Sequence, residues 1–312
     1  MTTSEVAPPR TAWAEPDPAR RVVKRKRHVR PARVVLHVFL TVTAIVWLIP
    51  LLWAIYTSLR SYADTSANGY LSIAKALTLQ NYENAWSQSG LPMYFWNSML
   101  ITVPAVLLTL VFSSFVAFFV SRFDFRINLA LLMLFTAGNL LPPQVIITPL
   151  YRLYLLIPLP DFMNPGADVM FDSYWGVIAI HVAFQTGFCT FVFSNYMRTI
   201  PKEISEAALV DGASVWRQFW QIVLPLCRPA FAALATLESI WIYNDFFWAL
   251  VLFSTGSKRP ITSALANLQG QYFTNQNLIA AGALMTAIPT LLVYLLLQRQ
   301  FISGLTLGAN KG

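Results

Sequence analysis

Six stretches of this 312-residue chain carry too little charge to be stable in water as exposed segments. They cover residues 34–59, 97–120, 129–156, 174–196, 229–253 and 278–297. Each reaches the about 20 residues that a helix needs to cross a bilayer. Inside hydrocarbon every backbone N–H and C=O must be satisfied by the segment itself, so such runs are helices. Charged residues make up only 12% of the chain, against about 25% in soluble domains. The expectation is an all-α integral membrane protein with six transmembrane helices. Pro142, Pro143 and Pro149 fall within the third run and predict a kink or break near its middle.

Positive charge sets the orientation. Nine of the 22 Lys and Arg residues precede Val34. With six spans and an inner N-terminus, the inner segments 1–33, 121–128, 197–228 and 298–312 hold 17 of them. The other five, Arg60, Lys75, Arg152, Lys258 and Arg259, fall outside or at span ends. That is the expected inward bias, and it predicts both termini in the cytoplasm, with the chain in a cell membrane. The net charge of +8 is therefore read as contact with anionic lipid beside the first span, not as nucleic-acid binding. Run 34–59 is too long for a signal-peptide core and lacks a small-residue cleavage site. Three regions result: a basic, disordered extension (1–33), a membrane domain (34–298) and a cytoplasmic tail (299–312).

The inner segment 199–225 concentrates helix signals. Pro201 suits the first turn of a short helix and Glu203 its positive end. Ile204, Ala207, Ala208 and Asp211 share one face, mostly small. Gly212 can end that helix in a left-handed conformation, and Ser214 can cap a second one. There Trp216, Phe219, Trp220 and Val223 form a stripe. Pro225 is expected to push Leu224 out of the helical region and end that second helix.

Glu206-Ala207-Ala208, then Gly212, then Ile222-x-Leu224-Pro225 resembles the EAA loop of type I ABC importer permeases, the loop that docks on their ATPase subunits. Arg122 to Arg126, Pro149-Leu150-Tyr151, Pro201-Lys202-Glu203, Asn244-Asp245-Phe246 and the tail from Gly304 to Gly312 are similar to carbohydrate-import permeases, in particular the smaller permease of maltose-type transporters. The resemblance covers residues 34–312. It implies six spans with a cytoplasmic coupling helix, and an assembly with a second permease, two ATPase subunits and an extracellular or periplasmic solute-binding protein. It gives ATPase contact to Glu203, Glu206, Ala207, Ala208, Asp211 and Gly212, and a second such contact to Gly308, Ala309, Asn310, Lys311 and Gly312. The solute implied is a mono- or oligosaccharide.

No catalytic pattern competes with this. No glycine-rich phosphate loop, H-E-x-x-H, G-x-S-x-G or C-x-x-C occurs, so neither a metal site nor an enzymatic function is expected. The chain itself needs no cofactor; Mg-ATP belongs to the implied partners. Cys189 and Cys227 read as packing residues. What remains are polar groups within apolar runs, which are costly in hydrocarbon and normally face a bundle interior or a water-filled path. Asn139, Gln144, His181, Gln185, Glu238, Trp241, Tyr243, Asn244 and Asp245 are thus candidates for a translocation path, with interhelical packing as the other reading. Two alternatives stay open: a permease of the same type for glycerol-phosphate, amino acid or peptide, and a secondary transporter working alone.

Overall fold

The computed structural model describes residues 31–87, 90–123, 126–166, 168–265 and 274–306, and all their side chains except those of 139, 140 and 299–306. The candidate tail contact, Gly308 to Gly312, and the side chain of Asn139 therefore lie outside what is described. Contacts divide the chain into residues 1–50 and 51–312. In the first unit, residues 31–50 belong to α1 (Pro31–Ser58), an apolar helix with Pro50 inside it.

In the second unit the segment after α1 carries α2 (Tyr62–Asn68) and α3 (Gln80–Ser87). Arg60 is fully buried there. Its guanidinium donates to the Asp64 carboxylate at 2.7 Å and to the carbonyls of Tyr70 and Ser72 at 3.0 and 2.9 Å. That bond holds the Asp64 carboxyl below the usual carboxylate range. Asn81 donates to the carbonyls of Ser58 and Arg60 and so fastens α3 to the end of α1.

The core forms where α4 (Leu91–Arg122) packs on α7 (Tyr174–Met197). Lipid offers no hydrophobic drive between helices, so small residues that let backbones approach supply the association. Ala105, Thr109, Ser113 and Ala117 recur every fourth residue on α4 and are fully buried; Thr190 and Ser194 are their like on α7. The third run is broken, as its prolines predict. α5 (Asn128–Leu140) and α6 (Ile147–Leu156) flank extended Leu141 and Pro142 and meet at 91°. In the first turn of α7, a Cβ on Gly176 would sit 2.6 Å from the Met170 carbonyl oxygen, so only glycine fits.

Beyond α7 come α8 (Lys202–Val210), α9 (Val215–Gln218), a wide turn over Phe219–Val223, and α10 (Leu224–Leu226). Then follow α11 (Arg228–Tyr243), α12 (Phe247–Leu252), α13 (Ile261–Ala264) and α14 (Gln276–Thr306). α11 packs on α14 and on α4. Among the described residues, four helices are long and apolar enough to span a membrane. The bent pairs α5–α6 and 215–226 with 228–243 bring the number to six.

Two expectations are corrected. Leu224 stays helical (φ −59°, ψ −46°) and Pro225 sits at the start of the following turn. Its missing N–H costs nothing there; the bend of 74° comes at Cys227. The fifth run is not one helix over 229–253. α11 ends at Tyr243, and the Asp245 carboxylate accepts from the N–H groups of Trp248 and Ala249 at 3.5 and 3.3 Å, starting α12. A carboxylate satisfying free N–H groups favours a new helix start over continuation.

Candidate functional site

Two regions hold the candidate residues. The first is the hairpin built by α8, Gly212 and α9. Pro201 is the cap residue before α8, with an extended ψ of 135°, so the helix begins at Lys202. At the other end Gly212 N donates to Leu209 O at 3.0 Å and Ala213 N to Ala208 O at 2.9 Å. This paired closure requires a left-handed residue at Gly212, whose φ is +77°. A Cβ there would meet nothing within 4 Å, so within this chain glycine is needed for its backbone conformation and not for space. Ser214 Oγ accepts from Arg217 N at 3.3 Å and caps α9.

The second arm of the hairpin is seated by aromatic rings. Phe219, in the wide turn, is 1% exposed. Its ring lies 5.4 Å from Phe115 and 5.3 Å from Phe118, both on α4, and Trp216 meets Phe115 at 5.8 Å. In the wide turn Leu224 N bonds Phe219 O, five residues back, and such turns re-aim side chains. Phe219 and Val223 face the core, whereas Trp216 and Trp220 are exposed; the expected four-residue stripe is split between core and surface. Arg122 Nη1 reaches Ile200 O at 3.3 Å and ties the end of α4 to the entry of α8.

On α8 itself only Ala208 is buried, against the closure at Ala213. Glu203, Glu206, Ala207, Asp211 and Gly212 are exposed. So are Leu209 and, at 88%, Val210. The hairpin thus offers an acidic edge, small residues and two apolar side chains on a helix whose own length is fixed at both ends.

The second region lies inside the bundle. His181 on α7, Tyr243 at the end of α11 and Asp245 line one small cavity together with Ser98 and Thr102 of α4. Its volume of about 10 Å³ is near the lower limit for a single water. His181 Nε2 stands 3.7 Å from Asp245 Oδ2 and has no hydrogen-bond partner among the described residues. Tyr243 OH donates to Thr286 O at 3.2 Å. Farther along α11, fully buried Glu238 accepts from Cys189 Sγ at 3.1 Å through Oε1, while Oε2 is unpartnered. Cys189 is buried as expected of a packing residue, and its role as a donor is new. The other candidates are not part of this cluster: Gln144, Trp241 and Asn244 are exposed and Gln185 is half-buried. Asn244 Nδ2 returns to Ile240 O at 2.8 Å, closing α11.

Sequence reasoning missed Ser98, Thr102 and Cys189. The small polar residues at four-residue spacing on α4 were a usable signal for the first two. Nothing local links Cys189 to Glu238, 49 residues away.

Comparison with known proteins gives a consistent likeness. Residues 109–301 match the family model described as binding-protein-dependent transport system inner membrane component. The melibiose/raffinose/stachyose import permease MelC of Bacillus subtilis is 32% identical over 85% of this chain and 91% of its own length. The arabinooligosaccharide transport permease AraQ of Halalkalibacterium halodurans is 31% identical over 86% and 93%. Among solved structures, a bacterial ABC transporter involved in alginate import superposes with a TM-score of 0.74 at 21% identity, covering 88% of this chain and 98% of that one.

Proposed function

The chain belongs to the family of binding-protein-dependent transport system inner membrane components, and we propose that it is one of two permeases in an ATP-driven sugar importer. The sugar class is supported by the melibiose/raffinose/stachyose and arabinooligosaccharide permeases it is similar to. The family description itself names dependence on a binding protein. The remaining partners, a second permease and two ATPase subunits using Mg-ATP, follow from the EAA-like stretch. The distribution of Lys and Arg supports inner termini and an inner hairpin in a plasma membrane.

The single observation that carries the mechanism is α8: a nine-residue helix closed by Gly212 and exposed along Glu203, Glu206, Ala207 and Val210. Its companion arm is anchored on α4 by Phe219. A helix so held moves with the bundle. When nucleotide draws two ATPase subunits together, α8, seated in one of them, passes the displacement to α4 and α7. The bundle then exchanges inward- and outward-open states. Nucleotide and solute bias these states only through their different affinities for each. Glu206 supplies a charge-assisted bond to a cation of the ATPase. The groups of the inner cluster and Gln144, Gln185, Trp241 and Asn244 are the candidates for polar contact with solute, aided by the aromatic faces of Trp241 and Tyr243.

The test is Gly212→Asp in the reconstituted complex. Solute-stimulated ATP hydrolysis and uptake are expected to fall together by about tenfold, the factor that 1.4 kcal/mol represents. Unchanged stimulation and uptake would refute the assignment of α8.

A further inference from the structure

A cationic cleft opens beside the hairpin, between the end of α4, the start of α5 and the α7–α8 connection. Its volume is about 500 Å³. Arg126, Arg198 and Lys202 line it, all three are exposed, and none forms an ion pair among the described residues. No described acidic side chain lines it; Asp124 lies outside the described residues. Arg122 follows Ser121 of the lining and bonds Ile200, two residues from both Arg198 and Lys202. Its Nε and Nη2 are buried donors with no partner among the described residues. The amino end of the 13-residue α5 opens on the same cleft through Asn128 and adds a partial positive charge.

The rest of the lining is apolar: Val120, Leu129 and Leu132. Leu129 continues into Met133 and Leu134, all more than half exposed on α5. Like charges gathered without counter-ions repel one another, so the cleft is most stable when an anion occupies it. The apolar strip leading away from it suits a hydrocarbon chain, not a free ion.

We propose that this cleft binds an anionic glycerophospholipid, its phosphate on Arg126, Arg198 and Lys202 and one acyl chain along Leu129 and Leu132. Asn128 holds the corner beside it, its Nδ2 donating to the carbonyls of Val120 and Phe123. Basic pockets between spans on the cytoplasmic side are known to hold anionic headgroups. The bound lipid would wedge α5 against the α7–α8 connection, beside the hairpin. The choice of the inner leaflet rests on the orientation proposed above; the lipid contact does not.

The experiment uses the assembled importer, without nucleotide, in nanodiscs of phosphatidylcholine mixed with phosphatidylglycerol, and reads retained lipid by native mass spectrometry. Wild type is expected to keep phosphatidylglycerol in preference to phosphatidylcholine. Arg126→Gln with Arg198→Gln lowers that retention by about tenfold, given the pull that each cation exerts on anionic lipid. Arg126→Lys with Arg198→Lys keeps most of it. If the double Gln variant fails to assemble, Arg198→Gln alone is read for the same loss. Equal retention in the Gln variants and wild type overturns the proposal, as does an equal loss of phosphatidylcholine. Displacement of the lipid by inorganic phosphate in wild type also overturns it, since the cleft would then be a free-phosphate site. Because no coupling is measured, failure here leaves the role of α8 untouched, and failure of α8 leaves this result standing.

Discussion

The hairpin of α8 and α9 and the buried cluster around His181 and Glu238 solve opposite problems. The hairpin is made by neighbours in sequence: Gly212 closes on Ala208 and Leu209, and Ser214 caps its own helix. Its side chains remain free for another molecule. The cluster is made by residues from α4, α7, α11 and α12, and its polar groups face one another with several atoms unpartnered. A docking element has to keep its shape before a partner arrives, so local backbone rules suit it. A group that must sit in hydrocarbon needs partners from distant segments, which only packing can bring.

The comparison predicts that changes in the hairpin's seat and in the cluster separate stability from coupling. The largest effect is expected from Phe219→Ala. It removes the ring that seats the hairpin on Phe115 and Phe118 and should cost about 3 kcal/mol, seen as a lower thermal midpoint of the purified complex together with lost uptake. A complex of normal stability would show that the hairpin is seated by something else. Next is Cys189→Ala, which leaves Glu238 Oε1 without its donor and should cost about 1–2 kcal/mol. Here ATP consumed per solute is expected to stay as in wild type; an altered ratio would mean that the cluster takes part in coupling.

Gly212→Ala comes third. The space around its Cβ is empty, so only the left-handed backbone is penalised, by about 1 kcal/mol. Asn at this position should recover much of that, because Asn tolerates the conformation. Equal defects in the two variants, read as stimulated ATP hydrolysis, would point to contact with a partner instead of backbone strain.

The smallest effect lies in the connection before α7. Asp172 accepts from Ser254 N and Thr255 N at 2.9 and 3.0 Å and faces Lys258 at 3.6 Å. Burial raises its carboxyl, but the bonds from Thr255 and Ser254 and the Lys258 charge outweigh it, and the net position is below the ordinary 3.8. A carboxyl lowered by folding stabilises above that ordinary value and loses its contribution as pH falls through the folded value. Wild type should therefore lose thermal stability below about pH 4. Asp172→Asn should be less stable at neutral pH by less than about 1 kcal/mol and flatter in acid. Parallel curves for the two would exclude Asp172 as the group responsible.

Much of this could be read in advance because its causes are local. Apolar length placed α1, α4, α7, α14 and the bent third run, three prolines located the break between α5 and α6, and Gly212 and Ser214 marked the hairpin's turn. The end of α11 was not legible. Run 229–253 reads as one apolar helix, and only the seating of the Asp245 carboxylate on Trp248 and Ala249 shows where the second begins. Pro225 misled for a related reason, since a proline breaks a helix only where its own N–H would have bonded and its ring meets the preceding turn.

The amino-acid order alone thus determined a helical membrane protein, its polarity of charge and the presence of a short helix closed by Gly212. Each of these follows from hydrocarbon solvation or from bonds spanning a few residues. The pairing of Cys189 with Glu238, the shared cavity of His181, Tyr243 and Asp245, and the gathering of Arg126, Arg198 and Lys202 were decided by tertiary structure. They depend on which helix faces lie against each other, and that is set by the fit of small side chains across α4 and α7, which no single segment encodes.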